Sequence, residues 1–254
     1  MQIDQDLKQL INSNPKLSKQ LEYALFPGKR LRGSLLLTLI ACQDQQICSQ
    51  AIAAASAIEI THAFSLVHDD MPALDNAEFR RGRPSFFKEF GESNALLIGD
   101  MLQYLAIHHI KQYPKLAMLL VEHAKDMVYG QWLESNCKIN NLALLQEVQN
   151  YKTARLFQLT EAMASVITGV DKLNLVGLKL GQCLQWLDDI ADVTEDEQGT
   201  NVLHFISKVE VIEKIECNLS AIRQEALCWP KGQLMNMWLQ DNFDSALNKM
   251  VYND

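Results

Sequence analysis

Glycine and proline are scarce in this chain, 11 and 6 in 254 residues, and no segment alternates polar and apolar residues at every second position. An all-β fold needs both the turns and the alternation, so it is excluded. Cysteine forms no pattern. Cys42, Cys48, Cys137, Cys183, Cys217 and Cys228 include no C-x-x-C pair, which removes zinc spacing and disulfide scaffolds and leaves free thiols in a reducing compartment. A basic excess is missing too: the net charge of −8 argues against a nucleic-acid partner. It does not argue against an anionic substrate, because a bound cation reverses the local field. Long apolar runs are missing. The densest, Leu35 to Cys42, is far short of the ~20 residues that span a bilayer. The start, Met1-Gln2-Ile3-Asp4-Gln5-Asp6, lacks the features of a signal peptide. A cytoplasmic protein without a transmembrane segment is expected.

What is present is helical spacing. Apolar residues make up 48% of the chain, enough for a real core, and recur at intervals of three and four. One stripe runs from Ile52 and Ala55 through Ile58, His62, Ser65 and Leu66. A second holds Leu96, Leu97, Met101, Leu105 and Ile107, a third Leu116, Leu119, Leu120 and Met127, a fourth Val176, Leu180, Leu184 and Leu187. Pro27-Gly28, Pro72, Gly82 to Pro84, Pro114, Gly199 and Pro230-Lys231-Gly232 punctuate them. Val209 to Leu227 and Met235 to Val251 look amphipathic. With no linker, repeat or low-complexity tract, the expected fold class is all-α, as one domain over 1–254.

Two acidic clusters stand out. The first reads Asp69-Asp70-Met71-Pro72-Ala73-Leu74-Asp75 and is followed by Arg80-Arg81-Gly82-Arg83-Pro84; the second reads Asp188-Asp189-Ile190-Ala191-Asp192. Carboxylates suit hard divalent cations that bridge to phosphates, and guanidinium groups match phosphate oxygens. Asp188 and Asp192 lie one turn apart on a helix. Asp69 and Asp75 cannot share a helix face, but Pro72 disfavours helix at Met71 and lets the chain loop so that Asp75 returns toward Asp69 and Asp70. Lys29, Arg30 and Arg32, after Pro27-Gly28, fit a second anion site at a loop or helix start.

These residues resemble the polyprenyl diphosphate synthase family, with the strongest likeness to its bacterial farnesyl diphosphate synthases. The likeness is carried by Gly28-Lys29-Arg30-Leu31-Arg32, by His62 to Asp75, by Gly130-Gln131, by Lys152-Thr153, and by Gln185 leading into Asp188-Asp189-Ile190-Ala191-Asp192. The resemblance implies an isoprenoid synthase-type helical bundle around a central active-site cavity, commonly a homodimer. It implies three Mg²⁺ ions held by Asp69, Asp70, Asp75 and Asp188, with Asp189 and Asp192 nearby. It further implies isoprenoid diphosphate substrates: Arg80, Lys152, Thr153 and Gln185 on the allylic one, and Lys29, Arg32, His62 and Arg81 on isopentenyl diphosphate. The implied reaction is ionisation, condensation and elimination, in which Asp69, Asp70, Asp75, Arg80, Lys152 and Asp188 carry the catalysis. Phe64, five residues before the first Asp, with Ser65 beside it, implies a C15 product; geranyl and geranylgeranyl products are the alternatives.

The chain departs from the family pattern. Pro27 stands for the first Gly of the Gly-Gly-Lys-Arg-x-Arg-Pro motif and Gly33 for its final Pro, Glu134 stands in the Gly-Gln-x-x-Asp segment, and the loop from Thr194 to Asn201 has Thr200 near the expected lysine. A weakly active regulatory subunit is therefore a second reading. A terpene cyclase is disfavoured because Asp196 stands where its second motif carries Glu. A di-iron protein would need a second Glu-x-x-His beside Glu59 to His62.

Overall fold

The computed structural model describes residues 2–170, 173, 176–192 and 200–252. The described backbone is overwhelmingly helical, as expected, and divides into two compact units. One comprises residues 1–34 and 48–121, the other 35–47 and 122–254.

In the first unit, α1 (Gln2–Asn12) and α2 (Ser18–Leu25) pack beside α4 (Ser49–Asp69). Helix α1 buries Ile3, Leu7 and Ile11, one residue per turn on a single face. Asp4 of α1 accepts from Arg30 Nε at 2.8 Å, and Asp6 bonds His109 Nε2 at 2.6 Å. Helix α4 is buried without a break from Ala53 to Thr61. By length and composition it could cross a membrane, but 72% of its apolar window lies inside the protein, as befits a core helix. The densest apolar stretch, Leu35 to Cys42, falls in a shorter apolar helix; the longer α4 is the one among the described residues that passes this test.

Helix α6 (Glu92–His109) corrects another expectation. Its buried residues are Ala95, Ile98, Gly99, Leu102 and Ala106, whereas Leu96, Leu97 and Met101 are exposed. The helix thus carries large apolar residues on its exposed side as well. Gly99 faces His68 of α4, and two helices approach only as closely as the side chains between them allow. A Cβ at Gly99 would lie 2.0 Å from His68 Nε2.

Between α4 and α5 (Phe86–Phe90) a hairpin pairs β1 (Phe79–Arg80) with β2 (Arg83–Pro84), with Arg80 opposite Arg83. Its two turn residues, Arg81 (φ 56°) and Gly82 (φ 76°), both take the left-handed conformation that a tight two-residue hairpin requires.

Two helices run through both units in sequence: α3 (Leu31–Cys42) and α7 (Pro114–Asn136). In the second unit, α8 (Leu142–Gln149) continues through a π-turn at Asn150–Ala154 into α9 (Arg155–Thr168), which packs on α10 (Val176–Ala191). Cβ atoms at Gly177 and Gly181 would fall 2.5 Å from Phe157 O and 2.4 Å from Ala154 Cα, so glycine permits this contact. Helix α11 (Lys208–Ala226) buries Val211, Ile215, Leu219, Ile222 and Ala226, and Ser207 Oγ accepts from Glu210 N at its start. The amphipathic stretch Met235 to Val251 is helical, as α12 (Gln233–Leu239) continuing through a π-turn at Gln240–Asp244 that buries Phe243 into α13 (Ser245–Tyr252).

Candidate active site

Each unit gathers its own set of the residues singled out by sequence. In the first unit, α4 ends at Asp69 and the chain turns at Pro72. The Asp75 N–H donates to Asp69 O at 2.9 Å, Asn76 N to Met71 O at 3.1 Å and Ala77 N to Asp70 O at 3.1 Å. The loop therefore returns Asp75 to Asp69, as the spacing around Pro72 suggested.

Asp70 differs from its neighbours. It is 2% exposed, and its Oδ1 accepts from both Nε (2.9 Å) and Nη2 of Arg80. Burial pushes its carboxyl up and Asp75 adds to this, while Arg80 pulls it down; the net shift is upward. Arg80 in turn is held charged by Asp70, Asp69 and Asp75 in spite of its burial. Arg80 is thus bonded to Asp70 and feels the charge of the other two carboxylates of the motif.

The tight turn spreads the hairpin arginines. Arg81 Nη1 donates to Pro27 O at 2.5 Å. Arg83 Nη2 donates to the Tyr23 and Phe26 carbonyls, its guanidinium lies 3.8 Å from the Tyr23 ring centroid, and Tyr23 Oη donates to Pro84 O at 2.7 Å. Arg83 therefore anchors the hairpin to α2, a role its place in the sequence did not reveal. Arg30 is likewise committed to structure: it is 3% exposed and donates to Asp4 and to Leu25 O. A Cβ at Gly28 would come within 2.7 Å of Arg30 Nη1 and 3.5 Å of Arg81 Nη1, so this glycine leaves room for two guanidinium groups.

His62 on α4 lies among these charges. Burial first, then Arg32, Arg81, Arg80 and Arg30, hold it well below imidazole's usual range. The ring is neutral in the fold and can donate one N–H. Arg32 is buried and Lys29 exposed. Burial lowers Arg81, and Glu59 partly restores it. Lys29, Arg32, His62 and Arg81 thus lie in one unit around a concentration of positive charge. A cleft beside them is lined by Ala63, Val67, Asp70, Arg80, Arg81 and Phe86.

The departure at Gly33 has a physical reason. Its N–H, which proline would lack, donates to buried Glu59 Oε1 at 2.7 Å, and a Cβ there would meet Ile3 Cδ1 at 2.8 Å. Phe64, 3% exposed, meets the His68 ring edge-on with centroids 5.4 Å apart, and His68 Nε2 lies 3.1 Å from Leu96 O. Ser65 Oγ donates to His62 O at 3.0 Å.

In the second unit the π-turn holds Lys152 and Thr153. Such turns often mark functional positions, because the extra residue re-aims side chains. Gly130 of α7 lets the turn approach: a Cβ there would lie 2.3 Å from Lys152 N. Lys152 Nζ pairs with Glu134, so the residue that departs from the family's Asp is this lysine's partner. Thr153 Oγ1 donates to Gln185 Oε1 at 2.7 Å, and Gln185 Nε2 donates to Asp189 Oδ1 at 2.9 Å.

The second acidic cluster is divided. Asp188 and Asp192 are exposed on α10 and at its end, with Asp192 N donating to Asp188 O at 3.0 Å. Asp189 is 5% exposed. Besides Gln185, its carboxylate accepts from Gln149 Nε2 (2.9 Å) and Val202 N (3.0 Å), and its carbonyl accepts from Asn201 Nδ2 (2.7 Å). Gln149 and Asn201 escaped the sequence reading, since they stand 40 and 12 residues from Asp189 with no local pattern to mark them. Thr200 is half-buried; of the loop expected to lack a lysine, residues 194–199 lie outside the described residues.

Among the described residues, no three His, Cys, Asp or Glu side chains converge into a closed metal site. The donors are nevertheless all carboxylate oxygens, on an open loop and an exposed helix end. That chemistry fits Mg²⁺, which keeps several waters and completes its shell with substrate phosphate oxygens.

Comparison with known proteins agrees with this chemistry. The model of the polyprenyl synthetase family matches residues 14–203. A farnesyl diphosphate synthase of Geobacillus stearothermophilus is 32% identical over 203 residues, covering 72% of this chain and 68% of the relative. A chloroplastic geranylgeranyl pyrophosphate synthase of Capsicum annuum is 32% identical over 206 residues, covering 72% of this chain but 54% of the relative, so the chain spans about half of that protein. A solved geranyltransferase of Helicobacter pylori, complexed with magnesium and isoprenyl diphosphate, superposes with a TM-score of 0.73 at 26% identity, over 90% of this chain and 88% of its own. A match of this extent, on a chain that keeps the looped acidic motif, the arginine hairpin and the Lys152–Thr153 turn, makes the protein a member of the polyprenyl synthetase family.

Proposed function

We propose that the chain condenses isopentenyl diphosphate with dimethylallyl or geranyl diphosphate to give farnesyl diphosphate. The observation that supports this most directly is the first acidic loop, whose Asp75 returns to Asp69 while Arg80 serves Asp70. Asp69, Asp75, Asp188 and Asp192 would hold Mg²⁺, three ions by analogy with the family. When bound, the metal supplies positive charge to the oxygens of the departing diphosphate.

The chain's own residues do the rest. Arg80, Lys152, Thr153 and Gln185 take the allylic diphosphate. Arg80 arrives already oriented by Asp70, so little reorganisation is needed as negative charge develops on the leaving group. Lys29, Arg32 and Arg81 hold isopentenyl diphosphate, and neutral His62 donates to it without adding charge. The allylic C–O bond breaks, the isopentenyl double bond attacks the resulting cation, and the proton lost from the adjacent carbon goes to the diphosphate. No side-chain base is required.

A C15 limit rests on Phe64, a buried ring on the helix that leads into Asp69; relatives of both C15 and C20 name match the chain equally well. A homodimer is the proposed assembly. Leu96, Leu97, Met101 and Tyr104, all exposed on α6, offer a second copy an apolar face of the kind that monomers rarely leave open. Incubating the pure protein with isopentenyl and dimethylallyl diphosphates tests the activity. Diphosphate release and a C15 alcohol after phosphatase treatment are expected with Mg²⁺ and not with EDTA. No release with Mg²⁺ present would refute the proposal and favour a regulatory subunit.

A further inference from the structure

We propose that Asp189 is a positioning residue for the allylic diphosphate site and not a ligand of the metal. The inference rests on the prenyl-transfer reading and deepens it. Sequence groups Asp189 with Asp188 and Asp192, yet the structure sets it apart. Its side chain is 5% exposed while its two neighbours in the motif are exposed. Both of its carboxylate oxygens are engaged by N–H donors: Gln185 on Oδ1, and Gln149 and Val202 on Oδ2. A metal would have to displace these donors, and a buried N–H left without an acceptor is costly.

The donors come from separate places. Gln149 is the last residue of α8, directly before the π-turn. Gln185 lies one turn before Asp189 on α10 and accepts the hydroxyl proton of Thr153 in the π-turn. Val202 and Asn201 are where the chain returns after the second acidic motif; Asn201 Nδ2 donates to Asp189 O, and its Oδ1 accepts from Leu203 N at 2.9 Å. One buried carboxylate therefore ties three segments together. It also fixes the amide of Gln185: with Nε2 held by Asp189, Oε1 must face Thr153. The hydrogen-bonding direction of both proposed substrate contacts follows from Asp189.

Asp189→Asn tests this. An amide offers one acceptor oxygen and one NH₂, so it cannot receive all three donors. Gln185 and Thr153 then lose their set orientation, while Asp188 and Asp192 keep theirs. Affinity is read by calorimetry with Mg²⁺ and a dimethylallyl thiolodiphosphate that does not ionise, so the measurement does not depend on turnover. The expected result is an allylic affinity about tenfold weaker, the worth of one side-chain hydrogen bond, with isopentenyl diphosphate affinity and Mg²⁺ half-saturation unmoved. A rise in the Mg²⁺ requirement would overturn the proposal in favour of a ligand role. Unchanged allylic affinity in the folded variant, or equal loss for both substrates, would overturn it too. Should Asp189→Asn fail to fold, Gln149→Leu removes one donor and leaves the charge; the same selective loss, smaller in size, is then expected, and its absence overturns the proposal. Wild-type protein that binds the analogue but releases no diphosphate refutes the proposed function alone; wild-type protein that binds neither substrate refutes both.

Discussion

Gly130→Ala should damage the reaction more than the fold. A Cβ at this position would lie 2.3 Å from Lys152 N, 2.7 Å from Tyr151 C and 2.8 Å from Lys152 Cα. All three are backbone atoms, so no side chain can swing aside. Ordinary contact begins near 3.4 Å, and α7 and the π-turn must separate by about 1 Å at this point. Overpacking of this kind costs ~1–3 kcal/mol; a value of about 2 kcal/mol lowers the melting temperature of a chain this size by roughly 4–8 °C. The same displacement acts on Lys152 and Thr153, and a shift of about 1 Å in positioning groups costs ~10²-fold in rate. Thermal unfolding and single-turnover diphosphate release measure the two effects. Gly169→Ala is the control. Gly169 caps α9 at φ 73° with open space beside it, so its variant should lose about 1 kcal/mol for a left-handed backbone and keep its rate. A Gly130→Ala protein with wild-type melting and wild-type rate would refute the reasoning, and so would an equal rate loss in Gly169→Ala.

Phe64→Ala should lengthen the product, because it removes a buried ring that meets His68 edge-on at 5.4 Å; a purified variant that still stops at C15 would show that the limit lies elsewhere. His62→Gln should flatten the acid side of the stability profile. The folded histidine sits well below its usual 6.5, so as pH falls through 6.5 the unfolded chain takes up a proton that the fold refuses, and stability drops toward the folded value. Urea midpoints at pH 7 and pH 5 should differ less in the variant than in the wild type; an unchanged difference would place the acid sensitivity at another group.

The looped first motif was legible in the sequence because its causes are local. Pro72 stops the helix, and six residues suffice to bring Asp75 back to Asp69. The hairpin at Arg81-Gly82 was read only as a break. A glycine after a charged residue does not reveal that both residues adopt positive φ, nor that Arg83 reaches back 60 and 57 residues to the Tyr23 and Phe26 carbonyls. The face of α6 was misread for a similar reason. Periodicity finds the largest apolar residues, but the buried face of α6 mixes Ile98 and Leu102 with Ala95, Gly99 and Ala106, and His68 of α4 fits against Gly99, where smallness is the signal.

By itself the sequence determined the helical class, the loop at Pro72, the identity of the charged residues and the family they resemble, since each depends on spacings of a few residues or on residue type. Tertiary structure alone decided what those residues do. It divided the acidic motifs, turning Asp70 onto Arg80 and Asp189 onto Gln149, Gln185 and Val202 while leaving their neighbours in the second motif exposed. It also bound Arg30 and Arg83 into the framework and left Arg81 beside His62. A carboxylate or guanidinium carries the same charge wherever it stands in a sequence; only burial and the donors or acceptors brought to it by distant segments separate a residue that holds the site from one that meets the substrate.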